Sequence, residues 1–529
     1  MKWNAWGDPA AAKPLSEAIR ALLRQALGVA DSDTPQLNAG DVRLRPSALS
    51  EADRDGLTAI VGDDYCRLTD RDRLLHAGGK STSDLLRRNH SGVQDAPDAV
   101  VLPGGPNGED EVVAILRYCA QHGIAVVPFG GGTSVVGGLD PVRGRFSAVI
   151  ALDLRRLDQL WELDQVSGEA VLDAGVTGPQ AERLLGEHGF SLGHFPQSFE
   201  FATIGGFAAT RSSGQDSAGY GRFNDMVRGL RVITPVGELD LGRAPESAAG
   251  PDLRQLLIGS EGAFGVITRV RLRVHRIPAA VRYEAWSFPD FATGAAALRE
   301  VTQTGAGPTV IRLSDEAETG VSLATTDSIG EGQVNGGCLA ITVFEGTEAH
   351  VDSRHNETQA VLTAHGGTSL GAAPARAWEH GRFGAPYLRD SLLAAGALCE
   401  TLETATVWSN LSTLKTAVTE ALTAALTESG TPALVLCHIS HVYATGASLY
   451  FTVVAGQRGN PIEQWCAAKA AATDAIVAAG GTITHHHAVG ADHRPWMPDE
   501  VGELGVQLLR AVKATLDPAG ILNPGKLIP

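Results

Sequence analysis

Val126-Val127-Pro128-Phe129-Gly130-Gly131-Gly132-Thr133-Ser134-Val135-Val136-Gly137-Gly138 is the stretch on which the reading of this chain turns. The apolar run over residues 124–127 predicts a buried strand, broken at Pro128 into a glycine-rich loop. Three successive glycines let backbone N–H groups converge on an anion with no Cβ in the way, and Thr133 and Ser134 add hydroxyl donors. The loop lacks the lysine and spacing of a P-loop, and it is not the G-x-G-x-x-G that opens a dinucleotide-binding helix. It reads as a phosphate cradle, or else as a tight turn between strands.

Its surroundings favour the cradle. A strand at 100–102 and a helix at 109–122 precede it, making a βαβ pattern, and strands at 149–154 and 170–174 with a helix at 177–188 follow. Two further small-residue stretches come next. The first runs Leu192-Gly193-His194-Phe195-Pro196-Gln197-Ser198-Phe199-Glu200-Phe201-Ala202-Thr203-Ile204-Gly205-Gly206-Phe207-Ala208-Ala209-Thr210-Arg211-Ser212-Ser213-Gly214. The second, Ile258-Gly259-Ser260-Glu261-Gly262-Ala263-Phe264-Gly265-Val266-Ile267-Thr268, leads into residues 269–275, whose alternation fits an exposed strand. Three such loops on one α+β scaffold point to a single extended ligand held largely by backbone.

After Pro278 the character changes. Strands at 281–288, 339–345, 434–440 and 448–455 alternate with helices at 291–303, 411–429 and 464–479, which predicts a separate α+β domain, and residues 329–337 read as a polar loop. Near the N-terminus, Leu15, Ile19, Leu22, Leu23 and Leu27 ending at Gly28 predict an amphipathic helix. The charge-dense residues 65–90 read as a solvated lid or loop.

With 43 basic and 60 acidic residues among 529, the net charge of −17 argues against general nucleic-acid binding, so an anionic substrate would need its own Arg and His cluster. The six cysteines are scattered with no C-x-x-C pair, as in a reduced cytosolic protein. No apolar run approaches the length of a membrane span, and the N-terminus has no signal-peptide core. The expected location is the cytoplasm.

Pro128 to Ser134, Gln197 to Thr203, Thr210 to Ser213 and Glu261 to Ile267 resemble, in order and spacing, the FAD-binding segments of the vanillyl-alcohol-oxidase (PCMH-type) flavoproteins, as does the closing Asp517-Pro518 to Asn523-Pro524-Gly525-Lys526. Within that superfamily the chain most resembles the alkyldihydroxyacetonephosphate synthases. The likeness rests on Met1-Lys2-Trp3-Asn4-Ala5-Trp6-Gly7, Gly193-His194, Ile311-Arg312-Leu313 and His485-His486-His487-Ala488-Val489-Gly490. The resemblance implies an α+β fold with a two-subdomain PCMH-type FAD-binding domain and an α+β cap. The expected division is 1–95 (N-terminal helical region), 96–278 (FAD domain), 279–500 (cap) and 501–529 (a C-terminal segment returning to the FAD domain).

It also implies a transferase of ether-lipid synthesis with no net redox change. The flavin N5 captures the carbon of acyl-dihydroxyacetone phosphate, the fatty acid leaves, and a long-chain alcohol attacks the adduct. Tyr450 matches the family's acid/base, Arg389 its phosphate-binding arginine, and Arg312 another functional arginine. The bland readings are a strand tyrosine, a surface partner of Asp390 and a structural ion pair. On a strand, His485, His486 and His487 would alternate faces and would not converge on a metal, so the expectation is no metal and one or two imidazoles facing flavin and substrate. Gly132-Thr133 stands where some relatives carry a flavin-linking histidine, which implies noncovalent FAD. The sequence departs from the family at His438, where an arginine is expected and which joins the substrate-binding set, at Phe195 for an acid, and at Ala488 for a glycine.

The remaining expectations are lipid-like substrates, a homodimer, and peripheral membrane contact motivated by those substrates. The rival functions are an FAD-dependent D-2-hydroxyacid dehydrogenase of the same fold, whose metal-binding His pair and single-His motif are not found here, and a non-catalytic flavin-binding protein.

Overall fold

The computed structural model describes residues 1–30, 36–90, 92–325 and 337–529, so the expected loop at 329–337 lies, but for Gly337, outside the described residues. Helix α1 (Glu17–Leu27) starts where the Ser16 hydroxyl accepts the Ile19 N–H and ends at Gly28, which turns left-handed at φ 60°. Leu15, Leu23 and Leu27 pack against Leu392, Ala397 and Val454, which come far later in the chain.

The charge-dense residues 65–90 are not a solvated lid. Arg73, Asp84 and Arg88 are buried. Arg73 donates to the carbonyls of Pro97 and Arg45, and Arg88 to that of Trp3, so segments remote in sequence satisfy the guanidinium groups.

Strands β1 (Cys66–Arg67) and β2 (Ala99–Val101), helix α2 (Gly108–His122), and strands β3 (Ile124–Phe129) and β4 (Ala148–Asp153) form a sheet of order β1-β2-β4-β3. β2, β4 and β3 run parallel, and β3 and β4 are covered on both faces, which is why they read as unbroken apolar runs. The C-terminal segment extends the β3 edge: Val126 N–H donates to Ile521 and Asn523 N–H to the Val126 carbonyl, each at 2.8 Å.

The second sheet comprises β5 (Leu160–Asp164), β6 (Glu169–Asp173), β7 (Val227–Thr234), β8 (Gly237–Leu241) and β9 (Val266–Arg273), antiparallel in the order β8-β7-β9-β6-β5, with the short helix α3 (Ile204–Ala209) against it. The expected exposed strand is in fact the middle strand, β9. Its alternation was real, with Thr268, Val270 and Leu272 buried, but period two reports only that one face is wetter, not that an edge is free.

The cap is one antiparallel sheet built from β10 (Ala280–Phe288), helix α4 (Phe291–Thr304), β11 (Val310–Ser314), β12 (Cys338–Gly346), β13 (Thr368–Gly371), helix α5 (Ala385–Ala394), β14 (Ala397–Val407), helix α6 (Leu411–Glu428), β15 (Ala433–Tyr443), β16 (Gly446–Gly456) and helix α7 (Pro461–Ala478). The strand order is β13-β10-β12-β11-β15-β16-β14. Alternation sorts its two faces. Cys437, Ile439, Leu449, Phe451 and Val453 bury against α4, α6 and α7, while Leu434, Leu436, His438, Ser440, Tyr450, Thr452 and Val454 point the other way, into a cavity. Helix α8 (Met497–Leu516) returns the chain to the FAD-type sheets, where Lys513 Nζ donates to the Ala263 carbonyl at 2.8 Å.

Candidate active site

A cavity of about 1060 Å³ lies between the glycine loops and the polar face of the cap sheet. Its floor is Pro128 to Ser134, Gln197, Ser198, Thr203, Gly205, Gly206, Thr210, Ser212, Ser213, Glu261, Gly262, Gly265 and Ile267. The glycines are demanded by close approach of loop to loop: a Cβ on Gly131 would lie 1.9 Å from the Phe201 carbonyl oxygen, and one on Gly130 2.4 Å from Thr203 Oγ1. Arg211, Ala263, Phe264 and Val266 do not line the cavity. Arg211 holds the Ile258–Gln255 backbone through its guanidinium, and the other three pack in the cores beneath.

Glu261 ties floor to roof. Its buried carboxylate accepts the Val489 N–H at 3.2 Å and the Gly490 N–H at 2.9 Å, fixing the turn after the triple histidine. Burial pushes its pKa up to about 7 against those hydrogen bonds.

On the cap side Tyr450 stands among imidazoles. Ring centroids of His438, His486 and His487 lie 5.0, 5.9 and 5.7 Å from its own. Burial pushes the phenol above its ordinary range and, with Glu400 and Glu403, outweighs Arg389, so Tyr450 is a neutral donor. Burial also pushes His486 down to about 3 and lowers His487, leaving both neutral.

The three expected anion-binding groups are all within the cavity wall but already hold protein partners. Glu318 bridges Arg312, at 2.9 Å, and His438 Nδ1, at 2.8 Å. Burial disfavours that carboxylate, yet His438 and Arg312 carry its pKa down to about 2. Arg389 donates to the Lys80 carbonyl at 2.7 Å and pairs with Asp390 at 3.2 Å in a site only 10% exposed, so this is not a surface pair. Phe195, the unexpected aromatic, lies under the guanidinium of Arg382 at 4.7 Å, a cation–π contact.

From Tyr450 the cavity continues as an apolar arm. Leu434, Leu436 and Val454 of the cap, Leu388 and Leu392 of α5, and Ile19, Leu22, Leu23, Ala26 and Leu27 of α1 line it.

A family model described as "FAD binding domain" matches residues 97–241, and one described as "FAD linked oxidases, C-terminal domain" matches residues 277–527. An alkyldihydroxyacetonephosphate synthase from Trypanosoma brucei brucei is 34% identical over 574 aligned residues, covering 100% of this chain and 92% of that protein. One from Dictyostelium discoideum is 32% identical, covering 100% and 93%. A solved alkyldihydroxyacetonephosphate synthase structure superposes with a TM-score of 0.86 at 30% identity, covering 100% of this chain and 99% of that one. This chain belongs to the alkyldihydroxyacetonephosphate synthase family.

Its cofactor is accordingly FAD, and the cavity floor fits it. Backbone-rich loops offer little but N–H groups and small hydroxyls, and the buried Nε2 of Gln197, on the cavity wall, has no protein partner.

The triple histidine is a loop and not a strand, and this changes what it can do. The rings do not alternate: ligand nitrogens of His485 and His486 come together with His441, all within 4.8 Å of one another, while His487 turns toward Tyr450. Each ring of the trio also has a hydrogen-bond partner within the protein. Tyr443 Oη sits 2.6 Å from His485 Nε2, Ser217 Oγ 2.8 Å from His441 Nδ1, and the His485 and His486 Nδ1 atoms share a proton at 2.9 Å. Of the triplet, His486 and His487 line the cavity and His485 lies behind.

Sequence reasoning missed Glu318, His441 and Glu403. Each is an ordinary polar residue on an element whose partners come from distant parts of the chain, and no local pattern marks it.

Proposed function

We propose that this chain is an FAD-dependent alkyldihydroxyacetonephosphate synthase, exchanging the acyl group of acyl-dihydroxyacetone phosphate for a long-chain alcohol in ether-lipid synthesis. The observation that carries the reading is the order of chemistry along one cavity: cofactor loops, then Tyr450 among imidazoles and arginines, then an apolar arm. A 2-hydroxyacid would leave that arm without a purpose.

FAD, when bound, supplies a ring that holds the reacting carbon and ends the cycle in its starting redox state. Arg312, Arg389 and His438 bind the phosphate, a guanidinium fork matching its oxygens better than a lysine would. Tyr450 Oη moves the substrate's α-proton with His486 or His487 as its exchange partner. The apolar arm takes the acyl and alkyl chains and keeps water, the competing nucleophile, from the reacting carbon. Gly132 and Thr133, on the cavity floor, offer no imidazole where some relatives carry a flavin-linking histidine, which supports noncovalent FAD; acid precipitation should release all the flavin.

The deciding experiment gives the purified yellow protein palmitoyl-dihydroxyacetone phosphate and hexadecanol without an electron acceptor. The expected products are the alkyl ether and palmitate, abolished in Tyr450→Phe with flavin retained. No ether, together with anaerobic bleaching of the flavin by 2-hydroxy acids, would move the protein to the dehydrogenase class.

No helix among the described residues is long and apolar enough to cross a membrane. Peripheral attachment, motivated by the lipid substrates, predicts co-flotation with liposomes, and a homodimer predicts twice the chain mass in light scattering.

A further inference from the structure

Glu403 lies on β14 directly opposite Tyr450 on β16, on the same face of the cap sheet, with its side chain wholly out of solvent. It does not line the cavity. Instead its two oxygens collect four donors from one short stretch: Oε1 accepts Thr484 Oγ1 at 2.6 Å and the His487 N–H at 2.9 Å, and Oε2 accepts the N–H groups of His485 at 2.5 Å and His486 at 3.2 Å. Three consecutive backbone N–H groups aimed at one carboxylate exclude an extended strand, in which they would alternate. This is the physical reason that residues 484–487 curl, and that His486 and His487 both reach Tyr450.

We propose that Glu403 is a positioning residue of the reaction: it folds the histidine loop against Tyr450 and places a negative charge beside the neighbouring imidazoles. The inference rests on the function proposed above. It touches no substrate itself, and acts through the ring pair.

Its electrostatic part follows from the surroundings. The charged and titratable groups facing the three rings are Glu403 and Glu400 from β14, His438, His441 and Tyr443 from β15, Tyr450 from β16, Arg222 from the segment before β7, and Lys469 from α7. Burial, Arg222, Lys469 and the other imidazoles all disfavour protonation. Glu403 is the foremost group opposing them at each of the three rings, joined by Glu400 only at His487. Burial raises the carboxyl's own pKa, but the three rings and Thr484 hold it well below the usual range, so it is charged throughout the working pH. A negative charge favours imidazolium; removing it moves the imidazole pKa values down.

Two substitutions separate geometry from charge. Glu403→Gln keeps the size, removes the charge and turns one of the two acceptor oxygens into an NH2 donor; Glu403→Asp keeps the charge and shortens the reach. With flavin content and thermal midpoint as controls, Glu403→Gln should lower kcat by about two orders of magnitude with KM within about threefold. Any imidazole limb of its pH profile should move to lower pH. Glu403→Asp should lower kcat by about tenfold and leave that limb in place, because the charge remains. NMR of isotope-labelled histidine in the full-length flavin-loaded protein reads the same titration without substrate, so a wrong substrate assignment leaves this arm standing. Two results each overturn the proposal: histidine titrations in Glu403→Gln unmoved from wild type, or Glu403→Asp retaining wild-type kcat. If Glu403→Gln does not fold, Glu403→Asp alone decides.

Discussion

Glu318 offers the sharpest quantitative test of the anion-binding cluster. In the native protein it neutralises Arg312 at 2.9 Å and pairs with the buried imidazole of His438 at 2.8 Å, in a site from which water is largely excluded. Its carboxyl is held at about 2 where the ordinary value is 4.5; that depression corresponds to about 3 kcal/mol of favourable interaction. An independent route gives the same size: removing one partner from a buried ion pair costs ~3–5 kcal/mol because it strands the other charge. Glu318→Gln should therefore lower the thermal midpoint of the cap by roughly 6–12 °C, at about 2–4 °C per kcal/mol for a unit of this size. The assay is differential scanning calorimetry of the flavin-loaded protein at neutral pH. Two further arms make it specific. Glu318→Gln with Arg312→Met removes the stranded charge and should be more stable than Glu318→Gln alone. Inorganic phosphate, which replaces the missing anion, should raise the midpoint of Glu318→Gln more than that of wild type. A drop under about 2 °C, or a double variant no more stable than the single, would refute the reasoning.

Three other expectations can be checked alongside. Val454→Phe narrows the apolar arm; each methylene that no longer fits loses about 0.8 kcal/mol, or about fourfold in kcat/KM, so the optimum alcohol should shorten in a chain-length series. An unshifted optimum would place the chain elsewhere. Glu261 has a folded pKa raised to about 7, so its contribution to stability is complete below about 4.5 and is lost as pH rises through 7. Glu261→Gln, which stays neutral, should then gain roughly 3 kcal/mol on wild type between pH 4 and pH 8 in denaturant titrations, and a constant difference would contradict this. Gly131→Ala drives a Cβ into the Phe201 carbonyl oxygen, a backbone atom that cannot swing aside, and should yield protein that purifies colourless.

How much was legible beforehand differs by feature. Pro128 to Ser134 and Glu261 to Ile267 were readable because their meaning is local: a strand that ends, glycines where no Cβ fits, hydroxyls just beyond. The alternation over residues 434–440 and 448–455 was readable too, and it already contains the division of the cap sheet into a packed face and a cavity face. The buried arginines of residues 65–90 were misread for the converse reason. Charge density predicts exposure only when no distant carbonyl is waiting, and the carbonyls of Trp3, Arg45 and Pro97 were.

The sequence by itself determined the α+β class, the glycine-rich loops, the family and the residue types proposed for the chemistry, because each is written in short-range pattern or in motif order. Only the tertiary structure decided which of these residues meet. Arg312 and His438 become one unit through Glu318, and the three histidines become a curled loop through Glu403, 82 residues away from the first of them. A buried carboxylate takes its partners from wherever the fold brings N–H groups and cations together, and no stretch of chain carries that information alone.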